Sequence, residues 1–166
     1  MDHAEEYVTL DDSIQELKRG CLNSEFQFLD KAPLEVGVVD EGGIEFPDFI
    51  YQNHIPLISD RFKAVLDKLQ IDNLFYKKIY ITCEITGARE IYWLALPPRI
   101  NCLNYDKSIV NEVLGYAEEI VIDGNNVGNY HIFKLQGVSN QEIYITKDLK
   151  EILEKQNLEG VVFYSY

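Results

Sequence analysis

Apolar residues recur at Phe62, Val65, Leu66 and Leu69, the i, i+3, i+4, i+7 stripe of a helix with one buried face. Ser59 stands where a helix N-cap would, so the pattern predicts a helix opening just after it. The rhythm then shortens to two in residues 75–81 (FYKKIYI), which predicts a strand. Residues 87–89 (GAR) predict a turn, and residues 90–96 (EIYWLAL) a second strand stopped by Pro97 and Pro98. Further on, residues 118–122, a turn at 123–126 (DGNN) and residues 130–135 predict a hairpin with a longer loop. Near the start, Asp11, Asp12 and Ser13 offer caps for a short helix over 13–19, with Ile14 and Leu17 facing inward and Gly20 as its stop. Residues 25–29 and 34–39 read as extended, followed by a turn at 40–43.

The helix–strand pattern occurs twice. At an offset of 87 residues Ser59 matches Thr146, Phe62 matches Leu149, Leu66 matches Leu153, Ile71 matches Leu158 and Tyr76 matches Phe163. Each copy reads as an extended entry, a Ser or Thr cap, a one-faced helix, a short turn and a strand. The expected fold is therefore α+β: a mainly antiparallel sheet with two similar helix–strand units packing their helices on one face. The 166 residues fit a single domain, 1–166, with an acidic segment over 1–45 and an α+β core over 46–166.

Charge changes the picture. Acids outnumber bases 28 to 15, for a formal net charge of −13. Residues 1–48 hold 13 acids against 3 bases, a net of −10, which leaves −3 for the rest. Such a chain is expected to avoid nucleic acid and anionic membranes and to attract a basic partner. Three cysteines at unrelated spacings (Cys21, Cys83, Cys102) make neither a disulfide framework nor a zinc pattern. The first residues are acidic and lack an apolar stretch, and no run approaches a membrane span, so a cytoplasmic protein is expected.

Candidate chemistry is sparse. There is no nucleophile elbow, phosphate loop, His-rich zinc motif or paired-cysteine motif, and His3, His54 and His131 are scattered. No catalytic residue, cofactor or metal is expected. Lys between aromatics in residues 75–81 could suggest base stacking, although half-buried alternation accounts for it. Trp93 fits a core strand, or else an aromatic anchor in a protein interface.

Residues 47–69 (PDFIYQNHIPLISDRFKAVLDKL), 101–108 (NCLNYDKS) and the closing stretch with Phe133, Thr146, Leu149, Leu153 and Gly160 together resemble a bacterial immunity-protein family of polymorphic toxin systems, first catalogued as a domain of unknown function of myxobacterial type. The resemblance covers about 46–166 in order and leaves the first 45 residues unmatched. It implies an antitoxin that binds a cognate toxin domain and blocks it by steric and electrostatic occlusion, and it implies no enzyme activity. The matching residues are caps and core, so it transfers no binding site. From charge alone, Asp40, Glu41, Glu45 and Asp48, beside a glycine turn, are the expected toxin contacts. The rival readings are a small hydrolase or transferase with an unrecognised carboxylate site, favoured by a polar cleft, and an acidic adaptor, favoured by evenly scattered acids.

Overall fold

The capped amphipathic segment folds as expected. In a computed structural model, which describes residues 7–39 and 43–164, helix α2 spans Asp60–Lys68, and the Ser59 hydroxyl accepts the Phe62 N–H at 3.0 Å. Phe62 and Leu66 are buried. Helix α4, Lys147–Glu154, begins 87 residues later, burying Leu149 and Leu153. Both helices exit through a left-handed residue at the same offset, Gln70 at φ +58° and Asn157 at φ +50°. The caps differ: the Thr146 hydroxyl meets His131 Nδ1 at 3.0 Å instead of capping the helix.

The strands before and after α2 lie in a five-stranded sheet ordered β1-β4-β5-β3-β2. Its members are β1 (Leu34–Gly37), β2 (Phe49–Gln52), β3 (Ile55–Ser59), β4 (Phe75–Cys83) and β5 (Ala88–Leu96). Only β1 and β4 run parallel. Period-two alternation gives the sheet two apolar faces. Leu57, Ile79, Ile81, Tyr92, Leu94 and Leu96 pack under the N-terminal segment with Ile14, Leu17 and Cys21. On the opposite face Ile58 and Ala95 share a cluster with Phe62, Leu66, Leu149 and Leu153, so α2 and α4 cover the same side. The segment after α4 differs from the one after α2: residues 161–164 join no strand, although Val161 and Phe163 still pack on that cluster.

Leu10 reaches both margins of this sheet. It bridges Val38 beyond β1, and the Gln52 side chain at the end of β2 accepts its N–H at 3.0 Å and donates to its C=O at 2.8 Å.

Three local expectations are corrected. Gly20 lies inside α1 (Lys18–Asn23), which continues a 3₁₀ helix over Asp12–Leu17. A side chain at Gly20 would meet Leu29 Cγ at 2.4 Å, so close packing and not helix termination selects the glycine. The helix instead ends on Ser24, at φ +54°. Phe26–Phe28 form a 3₁₀ turn, not an extended run, and the Phe26 ring stacks on Phe75 at 5.3 Å. The expected hairpin of 118–122 with 130–135 does not form. Strand β9 (Ile132–Leu135) is buried at all four positions and takes a partner on each side, β10 (Tyr144–Ile145) antiparallel and β6 (Arg99–Ile100) parallel. Residues 116–119 form β8 (Tyr116–Glu119) and pair with β7 (Ile109–Asn111). The DGNN stretch becomes a helical turn, α3 (Gly124–Val127), capped by Asp123. The turn expected at 40–43 lies largely outside the described residues. Among those described, no helix is long and apolar enough to cross a membrane.

Lys134 in β9 is fully buried, its ammonium donating to Gln141 Oε1 at 3.2 Å and to the Cys21 carbonyl at 3.4 Å. Burial, then repulsion from Arg99, lowers its pKa to about 8. The unfolded chain, with its lysine near the ordinary 10.5, binds this proton more tightly, so stability rises with pH from about 8. Above 9 the buried Cys21 thiol, raised by desolvation to about 12, opposes the rise, because it ionises first in the unfolded chain. Urea unfolding at pH 7.5, 8.5 and 9.0 is therefore expected to show increasing stability. Lys134→Met should flatten that slope, and an unchanged slope would refute deprotonation of the folded Lys134 near pH 8.

Candidate functional site

The four acidic residues singled out from charge do not form one exposed group. Asp40 and Glu41 lie outside the described residues. Glu45 is exposed, on a short bridge to Tyr7 in which its carbonyl accepts the Val8 N–H at 2.9 Å. Asp48 turns inward and is only 7 % exposed. One of its oxygens accepts the Ser59 hydroxyl at 2.6 Å; the other accepts Arg61 Nη1 at 2.9 Å and the Glu159 N–H at 3.0 Å. Arg61 also donates to the carbonyls of Gln156 and Asn157, at the C-terminal end of α4. A cation there meets the negative end of the helix dipole. Asp48 therefore fastens the tail of the second helix unit to the head of the first, and its carboxylate is fully engaged inside the chain.

Other acids of the N-terminal third also have internal partners. Asp11 accepts the Ser13 hydroxyl and the backbone N–H groups of Ser13 and Gly37, and these hydrogen bonds, the hydroxyl first, hold its carboxyl below the usual range against the opposing effect of burial. Asp30 pairs with Lys77, and Glu35 with Arg89. Asp12, Glu16 and Glu45 remain exposed.

An acidic surface lies instead where the sequence reading did not expect one. The β7–β8 hairpin carries exposed Glu112, Glu118 and Glu119 around an apolar turn in which Val113 is 93 % and Leu114 71 % exposed. The turn is fixed locally, since Asn111 Oδ1 accepts the N–H groups of Val113 at 3.2 Å and Leu114 at 3.1 Å. It is also fixed from outside. Asn140, 2 % exposed, accepts the Ala117 N–H at 2.8 Å and donates to the Ala117 C=O at 3.1 Å, acting as a side-chain neighbour to β8. The Ser139 N–H donates to the Gly115 carbonyl at 2.6 Å. The sequence carries a signal for this surface: residues 108–133 contain four acids and no Lys or Arg. Counting charge over 49–166 as a whole concealed it.

The aromatic–lysine run resolves into internal contacts. Lys77 is buried against Asp30 and the Ala32 carbonyl. Lys63 lies over the Tyr76 and Trp93 rings at 4.6 and 5.1 Å, and Lys78 over Trp93 at 5.0 Å. Trp93 is half-buried and donates Nε1–H to Asp60 at 2.6 Å, so its ring face and its polar edge are both occupied within the chain. An apolar cavity of about 670 Å³ lies between α2, α4 and residues 161–164, lined by core side chains such as Phe62, Leu66, Leu153 and Phe163. Neither Glu45 nor Asp48 lines it. Among the described residues no group of three His, Cys, Asp or Glu side chains could hold a metal ion.

What the site geometry offers is an acidic surface around a fixed apolar turn, with separate exposed acids (Asp12, Glu16, Glu45) in the N-terminal third. Among curated proteins none matches the chain. A family model described as "Immunity protein family (Imm11)" matches residues 3–166. The match takes in residues 3–45, which the sequence resemblance leaves out, so the N-terminal layer over the sheet is part of the family pattern. The chain belongs to the Imm11 immunity protein family.

Proposed function

We propose that this protein is a cytoplasmic antitoxin that binds a cognate toxin domain bearing a basic surface and blocks it by occlusion, without catalysis of its own. The observation that carries this reading is membership of an immunity family combined with a net charge of −13. An acidic surface complements a basic active site, speeds the encounter and suppresses wrong partners. Toxin–immunity pairs are among the tightest non-covalent complexes known, which is what a cell making its own toxin requires. Within the N-terminal third, Asp40, Glu41 and Glu45 are the proposed contacts. Asp48 contributes by holding the adjoining chain through Ser59, Arg61 and Glu159.

The test is capture of the toxin domain encoded beside this protein, by calorimetry at low and at high salt. The expected result is a tight complex that weakens as salt rises. The triple reversal Asp40→Lys, Glu41→Lys, Glu45→Lys should raise Kd at least tenfold and reduce the salt dependence. Tight binding that ignores both salt and the triple reversal would overturn the electrostatic contact, and absence of a complex would overturn the antitoxin role.

A further inference from the structure

We infer that the β7–β8 turn is an apolar anchor of the toxin contact, seating Val113, Leu114 and Tyr116 in an apolar notch ringed by Lys and Arg on the toxin domain. The inference rests on the antitoxin reading and names the surface that performs it.

Turns usually carry polar or small residues suited to solvent. Here the turn places Val113 at 93 % and Leu114 at 71 % exposure, with Tyr116 at 43 % and Ile109 at 50 % on the flanking strands. Among the described residues almost nothing covers Val113 and little covers Leu114, while Tyr116 and Ile109 are about half open, so the turn adds little to the core. The residues that do serve folding are their neighbours, Val110 and Ala117, which face each other across the hairpin and pack inward. Apolar side chains grouped on the outside of an otherwise acidic protein mark an interaction surface.

The turn is also pre-organised. Asn111 fixes it from within, and Asn140 and Ser139 hold β8 and Gly115 from behind. A partner would meet side chains on a rigid backbone, and little loop-ordering entropy opposes binding. Tyr116 supplies the aromatic character typical of the residues that dominate binding energy.

Charge selects the occupant. Glu112, Glu118 and Glu119 surround the turn, and no Lys or Arg occurs from 108 to 133. A second copy of this chain docking face to face would set the same three carboxylates against their own images, because a two-fold interface repeats one patch on both sides. A basic surface removes that repulsion and neutralises the ring.

The experiment uses the intact protein and the toxin domain encoded beside it. Calorimetry compares the wild type with Val113→Ser/Leu114→Ser and with Glu118→Lys/Glu119→Lys. The serine pair is expected to raise Kd about thirtyfold or more and leave the salt dependence intact. The lysine pair should raise Kd and flatten the salt dependence. Hydrogen exchange on the wild-type complex should show new protection over 109–117, a readout that does not depend on how the variants fold. If the wild type binds tightly while both variants bind within threefold of it and 109–117 gains no protection, the anchor is overturned and the antitoxin reading stands. If the wild type captures no toxin domain, both fall. Dimerisation of the free protein that the serine pair abolishes would assign the turn to a second copy and overturn the inference as well.

Discussion

Asp48→Ala should unfold at markedly lower urea than the wild type, with a loss of about 3 kcal/mol, since hydrogen bonds to a charged acceptor contribute about 1.5–3 kcal/mol each and losses within one cluster do not simply add. Three donors lose their acceptor at once: the Ser59 hydroxyl, Arg61 and the Glu159 N–H. They differ in what happens next. The Arg61 side chain is 56 % exposed and turns to water at little cost. Ser59 keeps its bond from Phe62 and still caps α2. Among the described residues the backbone N–H of Glu159 has no other partner, and it carries most of the penalty. Asp48→Asn separates charge from geometry: it retains an acceptor oxygen for one or two of the donors and should lose about half as much. For a chain of this size the alanine variant corresponds to a melting temperature lower by roughly 10 °C. Equal stability of wild type and Asp48→Ala would refute the fastening role and return Asp48 to the list of candidate contacts.

Gly160→Ala is expected to be of similar size. Gly160 sits at φ +75°, where a side chain costs about 1–2 kcal/mol by itself. The added carbon would also stand 2.7 Å from the Phe49 carbonyl oxygen and 2.8 Å from Pro47 Cβ. Neither neighbour can swing aside, because one is backbone of β2 and the other a proline ring. Relief requires moving residues 159–161 away from the sheet, which pulls on the Glu159 bond to Asp48. A total loss of about 3–4 kcal/mol follows from adding an overpacking penalty of about 2 kcal/mol to the backbone strain. Gly87→Ala is the control: its φ is +71° but nothing lies within 4 Å, so only the backbone strain applies. Denaturant midpoints for the two variants should differ clearly. Equal losses would mean that the tail is not seated against β2.

The parts of the fold that could be read from sequence are those whose cause is local. Ser59 and the stripe at Phe62 and Leu66 determine α2 within a dozen residues, and the same spacing 87 residues later determines α4. Alternation marks β4 and β5 for the same reason. Failures came where the deciding neighbour is distant. Gly20 looks like a helix stop until Leu29 is seen against it. Residues 130–135 resemble half of a hairpin, yet their four buried positions demand strands from 99–100 and 144–145. Asp48 looks like one more surface acid because its decisive partner, Glu159, is 111 residues away. Val113 and Leu114 are the opposite case: their apolar side chains stay outside because Val110 and Ala117 pair across the hairpin and pack inward. The run without Lys or Arg was legible throughout, but only a local charge count reveals it.

The double attachment of Leu10 has a consequence for how this protein behaves in a crowded solution. Five strands laid flat would separate their outermost members by about 19 Å, four spacings of about 4.8 Å. Val38 and Gln52, from opposite margins, nevertheless both meet Leu10, Val38 as a bridge partner held by the flanking Thr9 and Asp11, and Gln52 by its side chain. The sheet must curl enough to bring these two margins toward Leu10, and residues 7–10 lie between them. Open margins are templates on which foreign strands accumulate into aggregates. By holding the continuation of β1 and the end of β2 from one short segment, the chain keeps both margins engaged, and loss of the segment would release both at the same moment.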